Sequence, residues 1–335
     1  MQQAQQTDRP RLVISSFEFA PGDWERIERA LGAGRLLLVQ GREALRDALS
    51  NHPDCDVVCS FFPAADTLAL APNLRWLALP SAGADRVVRE GLVQPGGPIV
   101  TTSSGIHAAP IGEFALSLML MWVRHWPQII DYQRAGTWPE SAGREHLHGR
   151  ELDGATLGVI GLGSIGRHIA RLGRAFGMRI IATRRSANAG ASDPDVDMMV
   201  PPDRLGDLLA AADFVVVSVP ATEQTRHLIG ADELRAMRHD AFLINISRGS
   251  AINEAALIAA LTDGVIGGVG LDVFETEPLP AESPLWQLPN VIISPHVAGN
   301  TDQYSRRFTD LFLENLARYR AGEPLRNVVD LGRGY

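Results

Sequence analysis

The chain has no lysine. All 31 of its basic residues are arginine. That absence removes Schiff-base aldolases, PLP enzymes, phosphate-binding glycine loops that end in lysine, and hydrolases with a lysine base. Any cation the protein uses is therefore an arginine, a histidine, its own amino terminus or a bound metal. Cysteine is scarce: Cys55 and Cys59 both lie in the run DCDVVCS. At i and i+4 they share a strand face but stand too far apart to bridge, so two buried thiols in a reducing cytoplasm are expected. Long apolar runs are missing too. The most apolar helical stretch, Phe114 to Val123, is only about half the roughly 20 residues needed to span a bilayer, so it reads as core. The start MQQAQQTDRP has neither a basic start nor an apolar stretch and reads as a polar lead-in, not a secretory signal. With 31 Lys+Arg against 39 Asp+Glu, a formal net charge of −8 and no basic runs, nucleic acid is excluded as a partner. A small molecule is the expected partner, with no membrane involved.

What is present is an alternation. Its 335 residues predict two domains or one large one, with ordinary hydrophobic and charged contents of 45% and 21%. Short apolar runs recur in two series with helical patterns between them. The first series is RLVISS, LLLV, VVCSF, WLALP and IVTTS, with helices predicted at Asp23 to Leu31 and Arg42 to Ser50. The second is TLGVIG, RIIAT, FVVVSVP, AFLINIS, GGVGLDVF and NVIISP. Such alternation predicts βαβ units and parallel sheets, hence two α/β lobes. A helix predicted near Pro110 to His125 carries the chain from the first lobe to the second, followed by a Gly/Pro/His-rich stretch from Gly136 to Gly149. A second, near Asp302 to Ala321, brings it back, leaving a cleft as the expected ligand site.

The sharpest local signal is Gly161-Leu162-Gly163-Ser164-Ile165-Gly166. It follows the strand TLGVI and opens a helical pattern, the context that a dinucleotide fingerprint requires. In that role Gly161 makes the tight turn, Gly163 admits the pyrophosphate, and Gly166 lets the helix pack on the strand. The helix amino terminus then offers N–H groups to the anion. An acid about 20 residues on would grip the ribose 2′-hydroxyl, whereas an arginine accommodates a 2′-phosphate. Here Arg184 and Arg185 occupy that place, and no Asp or Glu occurs between Gly161 and Asp193. The pattern predicts NADP(H).

Three further residues follow second-series strands: Arg248, Glu277 and His296. Arg248 can clamp a carboxylate through two parallel hydrogen bonds. His296 can exchange a proton with a carbonyl or alcohol oxygen, and Glu277 can orient the imidazole. Ligands of open α/β sheets bind beyond the carboxyl ends of the strands, where the glycine loop also lies. Together these groups answer the needs of hydride transfer to a 2-oxo acid. His107, in SSGIHAAP, is expected to be structural or to touch substrate.

These residues, with LPSAGADRV, VTTSSGIHAAPIGEFAL, GLGSIGRHIA, INISRGSAINEAAL, GLDVFETEPLP and SPHVAGNT, resemble the D-isomer-specific 2-hydroxyacid dehydrogenases along nearly the whole chain. The resemblance implies a flavodoxin-like substrate domain of residues 1–103 and 300–335 and a Rossmann NAD(P)-binding domain of residues 104–299. It makes Arg248 the substrate-carboxylate ligand, His296 the acid/base and Glu277 its partner. It adds the backbone of Ala82, Gly83 and Ala84 to the carboxylate site. Ser218, Pro220, Thr225, Ile246 and Asp272 become cofactor contacts. The implied assembly is a homodimer through the cofactor domains. Arg184 in place of an acid makes NADPH-using glyoxylate/hydroxypyruvate or other 2-oxo acid reductases the nearer comparison. The chain ends soon after the returning helix, so the regulatory extension of many phosphoglycerate dehydrogenases is not expected. Glutamate at 277 counts against formate dehydrogenases. Two other readings stay open: a dinucleotide-sensing corepressor-like protein, and a dehydrogenase of another small anion such as phosphite. Trp138 and Trp286 are candidates for shaping the pocket.

Overall fold

A computed structural model describes residues 10–188 and 190–332. Residues 1–9 of the polar lead-in lie outside them. The described chain folds into two compact units, one from residues up to His107 together with those from Thr301 onward, the other from Ala108 to Asn300.

The first unit holds a five-stranded parallel sheet: β1 (Val13–Ser15), β2 (Leu36–Leu38), β3 (Val57–Cys59), β4 (Trp76–Ala78) and β5 (Ile99–Thr101), in the order β2-β1-β3-β4-β5. That order is flavodoxin-like. Parallel strands are covered on both faces, which is why they read as apolar runs. Ile14, Val58 and Leu77 pack on one side with Leu45 and Leu49 of the helix Gly41–Asn51. Val13, Val57 and Trp76 pack on the other with Ile27 of the helix Asp23–Leu31 and with Phe308, Phe312 and Leu316 of the helix Tyr304–Ala321. Trp76, fully buried, stacks on Phe312 at 4.9 Å and donates its indole N–H to Thr101 Oγ1 at 2.9 Å.

The cysteines depart from expectation. Cys55 packs with the first of these clusters and Cys59 with the second, so they face opposite sides of the sheet. Cys55 precedes the strand, where the two-residue alternation does not hold. Both thiols are free, and burial pushes each pKa up to about 12.

The second unit holds seven parallel strands: β6 (Thr156–Ile160), β7 (Arg179–Thr183), β8 (Met198–Val200), β9 (Phe214–Val217), β10 (Phe242–Asn245), β11 (Gly268–Leu271) and β12 (Val291–Ile293). Their order is β12-β11-β10-β9-β6-β7-β8, a doubly wound sheet whose order reverses at β6. One strand more is present than the sequence predicts. Three-residue β8 sits at the sheet edge, too short to give a periodic signal. The apolar helix spans Ala108–Val123 rather than ending at His125. His125 adopts a left-handed φ of 54°, and a second helix, Trp126–Arg134, starts there. The helices Ala108–Val123 and Ser164–Ala175 approach closely at Gly112, where a Cβ would lie 2.5 Å from His168. No helix among the described residues is long and apolar enough to cross a membrane.

Candidate active site

The glycine turn sits between β6 and the helix Ser164–Ala175, at the point where the strand order reverses. Gly161 has φ +99°, and a Cβ there would lie 2.5 Å from the Ser218 carbonyl oxygen. A Cβ on Gly166 would lie 2.0 Å from the Gly161 oxygen, so both positions exclude side chains. Gly163 differs: a Cβ there would meet nothing within 4 Å. That open space, beside the N–H groups of Ser164 and Ile165 at the helix start, is what a pyrophosphate requires. Ser218 Oγ donates to the Gly161 oxygen at 2.6 Å, fixing the turn from the end of β9. The donor set thus fits a dinucleotide.

His296 follows β12 in a left-handed conformation, φ 55°. Such a backbone costs on the order of 1–3 kcal/mol for a non-glycine residue and needs support from its surroundings. Asp272, buried at the end of β11, supplies it. One of its oxygens accepts from the Val297 N–H at 2.8 Å and from Ser294 Oγ at 2.7 Å, and the other from the Ala298 N–H at 3.0 Å. Both oxygens that the resemblance gives to the cofactor are thus engaged by the loop carrying His296. The imidazole Nδ1 lies 2.8 Å from Glu277 Oε2, while Glu277 Oε1 accepts from the Phe274 N–H at 3.0 Å. Because the carboxylate only accepts, Nδ1 carries the proton. The half-exposed ring then offers Nε2 for proton exchange.

Arg248 stands on the turn after β10. Asn245 shapes that turn, donating to the Arg248 carbonyl at 2.9 Å and accepting from the Ser247 N–H at 3.1 Å and hydroxyl at 2.8 Å. A Cβ on Gly249 would fall 1.8 Å from the Phe274 carbonyl carbon. The arginine turn therefore touches the backbone of the segment that leads to Glu277. A second histidine–carboxylate contact braces the same segment: His227 Nε2 lies 2.7 Å from Glu275 Oε1, and the His227 N–H donates to the Ser250 oxygen at 2.7 Å. Asn245, Ser294 and His227 escape a reading of the sequence because their work is local bracing, which no spacing rule marks.

Thr225 Oγ1 donates to the Pro220 oxygen at 2.7 Å within its own loop, and Ile246 is buried in the core. Arg184 is half-buried, its Nη1 3.8 Å from Asp193 Oδ2, and Arg185 is exposed.

In the first unit, Ala82, Gly83 and Ala84 form the turn after β4. Ser81 Oγ donates to the Gly83 oxygen at 2.9 Å, and the Tyr304 hydroxyl to the Pro80 oxygen at 2.7 Å. Phe62, 59% exposed, carries the Arg86 guanidinium 5.2 Å from its ring centroid. His107 is buried against the Tyr304 ring, centroids 5.0 Å apart. Trp138 is largely exposed, and Trp286 donates its indole N–H to the Pro280 oxygen at 2.9 Å. Among the described residues, no three His, Cys, Asp or Glu side chains group to hold a metal ion.

A doubly wound parallel sheet, with a glycine turn and a histidine–carboxylate pair on one edge, defines a dinucleotide-dependent oxidoreductase. The sequence profile of the D-isomer specific 2-hydroxyacid dehydrogenase NAD binding domain matches residues 116–298. A glyoxylate reductase of Korarchaeum cryptofilum is 36% identical over 284 residues, 83% of each chain. A D-isomer specific 2-hydroxyacid dehydrogenase of Xanthobacter autotrophicus Py2, solved with NADPH and MES, is 31% identical. Its TM-score is 0.81, with 97% of this chain and 99% of that one covered. An NADPH-dependent glyoxylate/hydroxypyruvate reductase of Sinorhizobium meliloti, solved with NADP and sulfate, is 26% identical, with a TM-score of 0.80 and coverage of 97% and 100%. The chain belongs to the D-isomer specific 2-hydroxyacid dehydrogenase family.

Proposed function

We propose that this protein reduces a small 2-oxo acid to the D-2-hydroxy acid, with NADPH preferred over NADH. The observation that carries the reading is the contact of His296 Nδ1 with Glu277 at 2.8 Å on the edge that also bears Arg248 and the glycine turn. Arg248 binds the substrate carboxylate as a planar fork, a task suited to guanidinium. Protonated His296 gives its Nε2 proton to the 2-oxo oxygen, and Glu277 holds the ring through Nδ1. A nicotinamide held at the glycine turn would supply the hydride. Arg184 and Arg185 stand where a 2′-phosphate is recognised. The names of the relatives, glyoxylate reductase and NADPH-dependent glyoxylate/hydroxypyruvate reductase, support the substrate class and the cofactor.

We assign a homodimer through the cofactor-binding unit, in the cytoplasm. The helix Trp126–Arg134 buries none of its residues, and Trp126 and Trp138 lie 46% and 85% exposed, as a surface awaiting a second copy does. Two free, buried thiols accord with a reducing compartment. A panel of 2-oxo acids assayed with both cofactors tests the reading. Higher kcat/KM with NADPH on glyoxylate or hydroxypyruvate is expected. Tight NADPH binding without turnover of any 2-oxo acid would favour the sensor reading instead.

A further inference from the structure

Beyond the end of β7 lies a charge cluster of which the proposed mechanism uses Arg184 alone. The Asp193 side chain is only 5% exposed. Arg167, on the helix that opens with the glycine turn, places Nη1 2.6 and 2.7 Å from its two oxygens. The Asp195 N–H donates to it at 3.1 Å, while Asp195 itself accepts from Arg171 Nε at 3.0 Å. Arg184 is the outlying member. Its Nη1 lies 3.8 Å from Asp193, beyond hydrogen-bond reach, and its buried Nε has no hydrogen-bond partner. Arg184 therefore feels the charge of Asp193 without being bonded to it. Burial works to raise the Asp193 pKa, but the Arg167 hydrogen bond and the neighbouring positive charges hold it below the usual carboxylate range, so the charge is present at neutral pH.

We propose that Asp193 is a specificity-determining residue, a fixed counter-charge that weakens the hold of Arg184 on a 2′-phosphate and so limits the discrimination of NADPH from NADH. The inference rests on the reading that Arg184 receives that phosphate. Asp193 does not replace the missing ribose-binding acid, because it is buried with both oxygens on Arg167. It acts by charge alone. A 2′-phosphate carries up to two negative charges and the 2′-hydroxyl none, so the repulsion falls on NADPH and leaves NADH untouched. Sequence reading looks for an acid at the strand end and passes over one nine residues further on, which reaches the same arginine only once the loop is folded.

The test is calorimetric titration of the whole chain with NADP⁺, NAD⁺ and 2′,5′-ADP. Asp193→Asn keeps the shape and one acceptor for Arg167 while removing the charge. It should bind NADP⁺ and 2′,5′-ADP about tenfold more tightly, by the order of magnitude of such charge pairs, with NAD⁺ changed less than twofold and the gain shrinking as salt rises. Asp193→Glu, which keeps the charge, should bind as the unaltered chain does. Should the single variant not fold, Asp193→Ser, which keeps a hydroxyl acceptor for Arg167 while removing the charge, carries the same expectation. An unchanged or weaker NADP⁺ affinity in the charge-removed protein overturns the proposal. Arg184→Ala separates the two ideas: if it leaves NADP⁺ and 2′,5′-ADP binding intact, the reading of Arg184 itself fails.

Discussion

The two sheets are alike at their amino edges and unlike at their carboxyl edges. At the amino edges an aspartate directly before one strand accepts backbone N–H groups at the start of its neighbour. Asp56, before β3, takes those of Arg11 and Leu12 at 3.1 and 3.3 Å. Asp197, before β8, takes that of Ile180 at 2.7 Å, and Asp213, before β9, that of Thr156 at 2.8 Å. At the carboxyl edge of the first unit the braces are neutral hydroxyls, such as Ser16 to Ser60 at 2.8 Å and Ser103 to the Leu79 oxygen at 2.8 Å, beside the rings of Phe17, Phe61 and Tyr304. The same edge of the second unit carries Arg248, Asp272, Glu277 and His296. One architecture is used twice, then, and charged side chains gather on a single edge, where the proposed proton and hydride chemistry is placed.

Substitutions can break that contrast. His296→Ala should lower kcat about 10²- to 10⁴-fold, the usual range for general acid–base catalysis, while the melting temperature stays unchanged. A small loss of rate would mean that the charged edge is not the reacting one. Trp76→Ala, in the core of the first unit, should do the reverse. Loss of the stacking on Phe312 and of the Thr101 hydrogen bond should destabilise by about 3–5 kcal/mol, read by calorimetry, with nicotinamide-nucleotide affinity retained. Asp272→Asn sharpens the comparison. The charged acceptor that secures the His296 loop is lost, and kcat should fall about 10- to 100-fold, the equivalent of roughly 1.5–3 kcal/mol for hydrogen bonds to a charged group. NADP⁺ affinity should hold. A matching loss of NADP⁺ binding would show that Asp272 meets the cofactor directly, as the resemblance implies.

Much of this was legible before folding. Apolar runs such as FVVV and FLIN announce buried parallel strands, and the glycine spacing after TLGVI places the nucleotide turn. Arg248, Glu277 and His296 could be placed on one edge because each follows a strand of the same series. The limits have physical causes. β8 is three residues at a sheet edge, too short to show a period. The break at His125 is a backbone choice that an apolar run conceals. Asp193 reaches Arg184, and Asp272 reaches Val297 and Ala298, only through loop geometry, for which the sequence has no spacing rule.

The smallest effect belongs to the amino edge, where each sheet uses the same kind of aspartate brace. Asp197 joins the Ile180 N–H to Arg174, whose Nη2 lies 2.9 Å from its second oxygen. The backbone hydrogen bond comes first and, with Arg174 and Arg179, outweighs burial to hold the carboxyl below its ordinary range. A depressed folded pKa favours the charged native state. Its contribution is therefore complete above the unfolded pKa, near 3.9, and is lost as pH falls through the folded value. Since the side chain is 38% exposed, solvent screening keeps the effect low, about 0.5 kcal/mol. Asp197→Asn should accordingly melt slightly below the unaltered chain at pH 7, and the gap should close on acidification through the carboxylate range. A gap that persisted in acid would mean that the side chain acts by shape, and the amino edges would then be held together by packing rather than by charge.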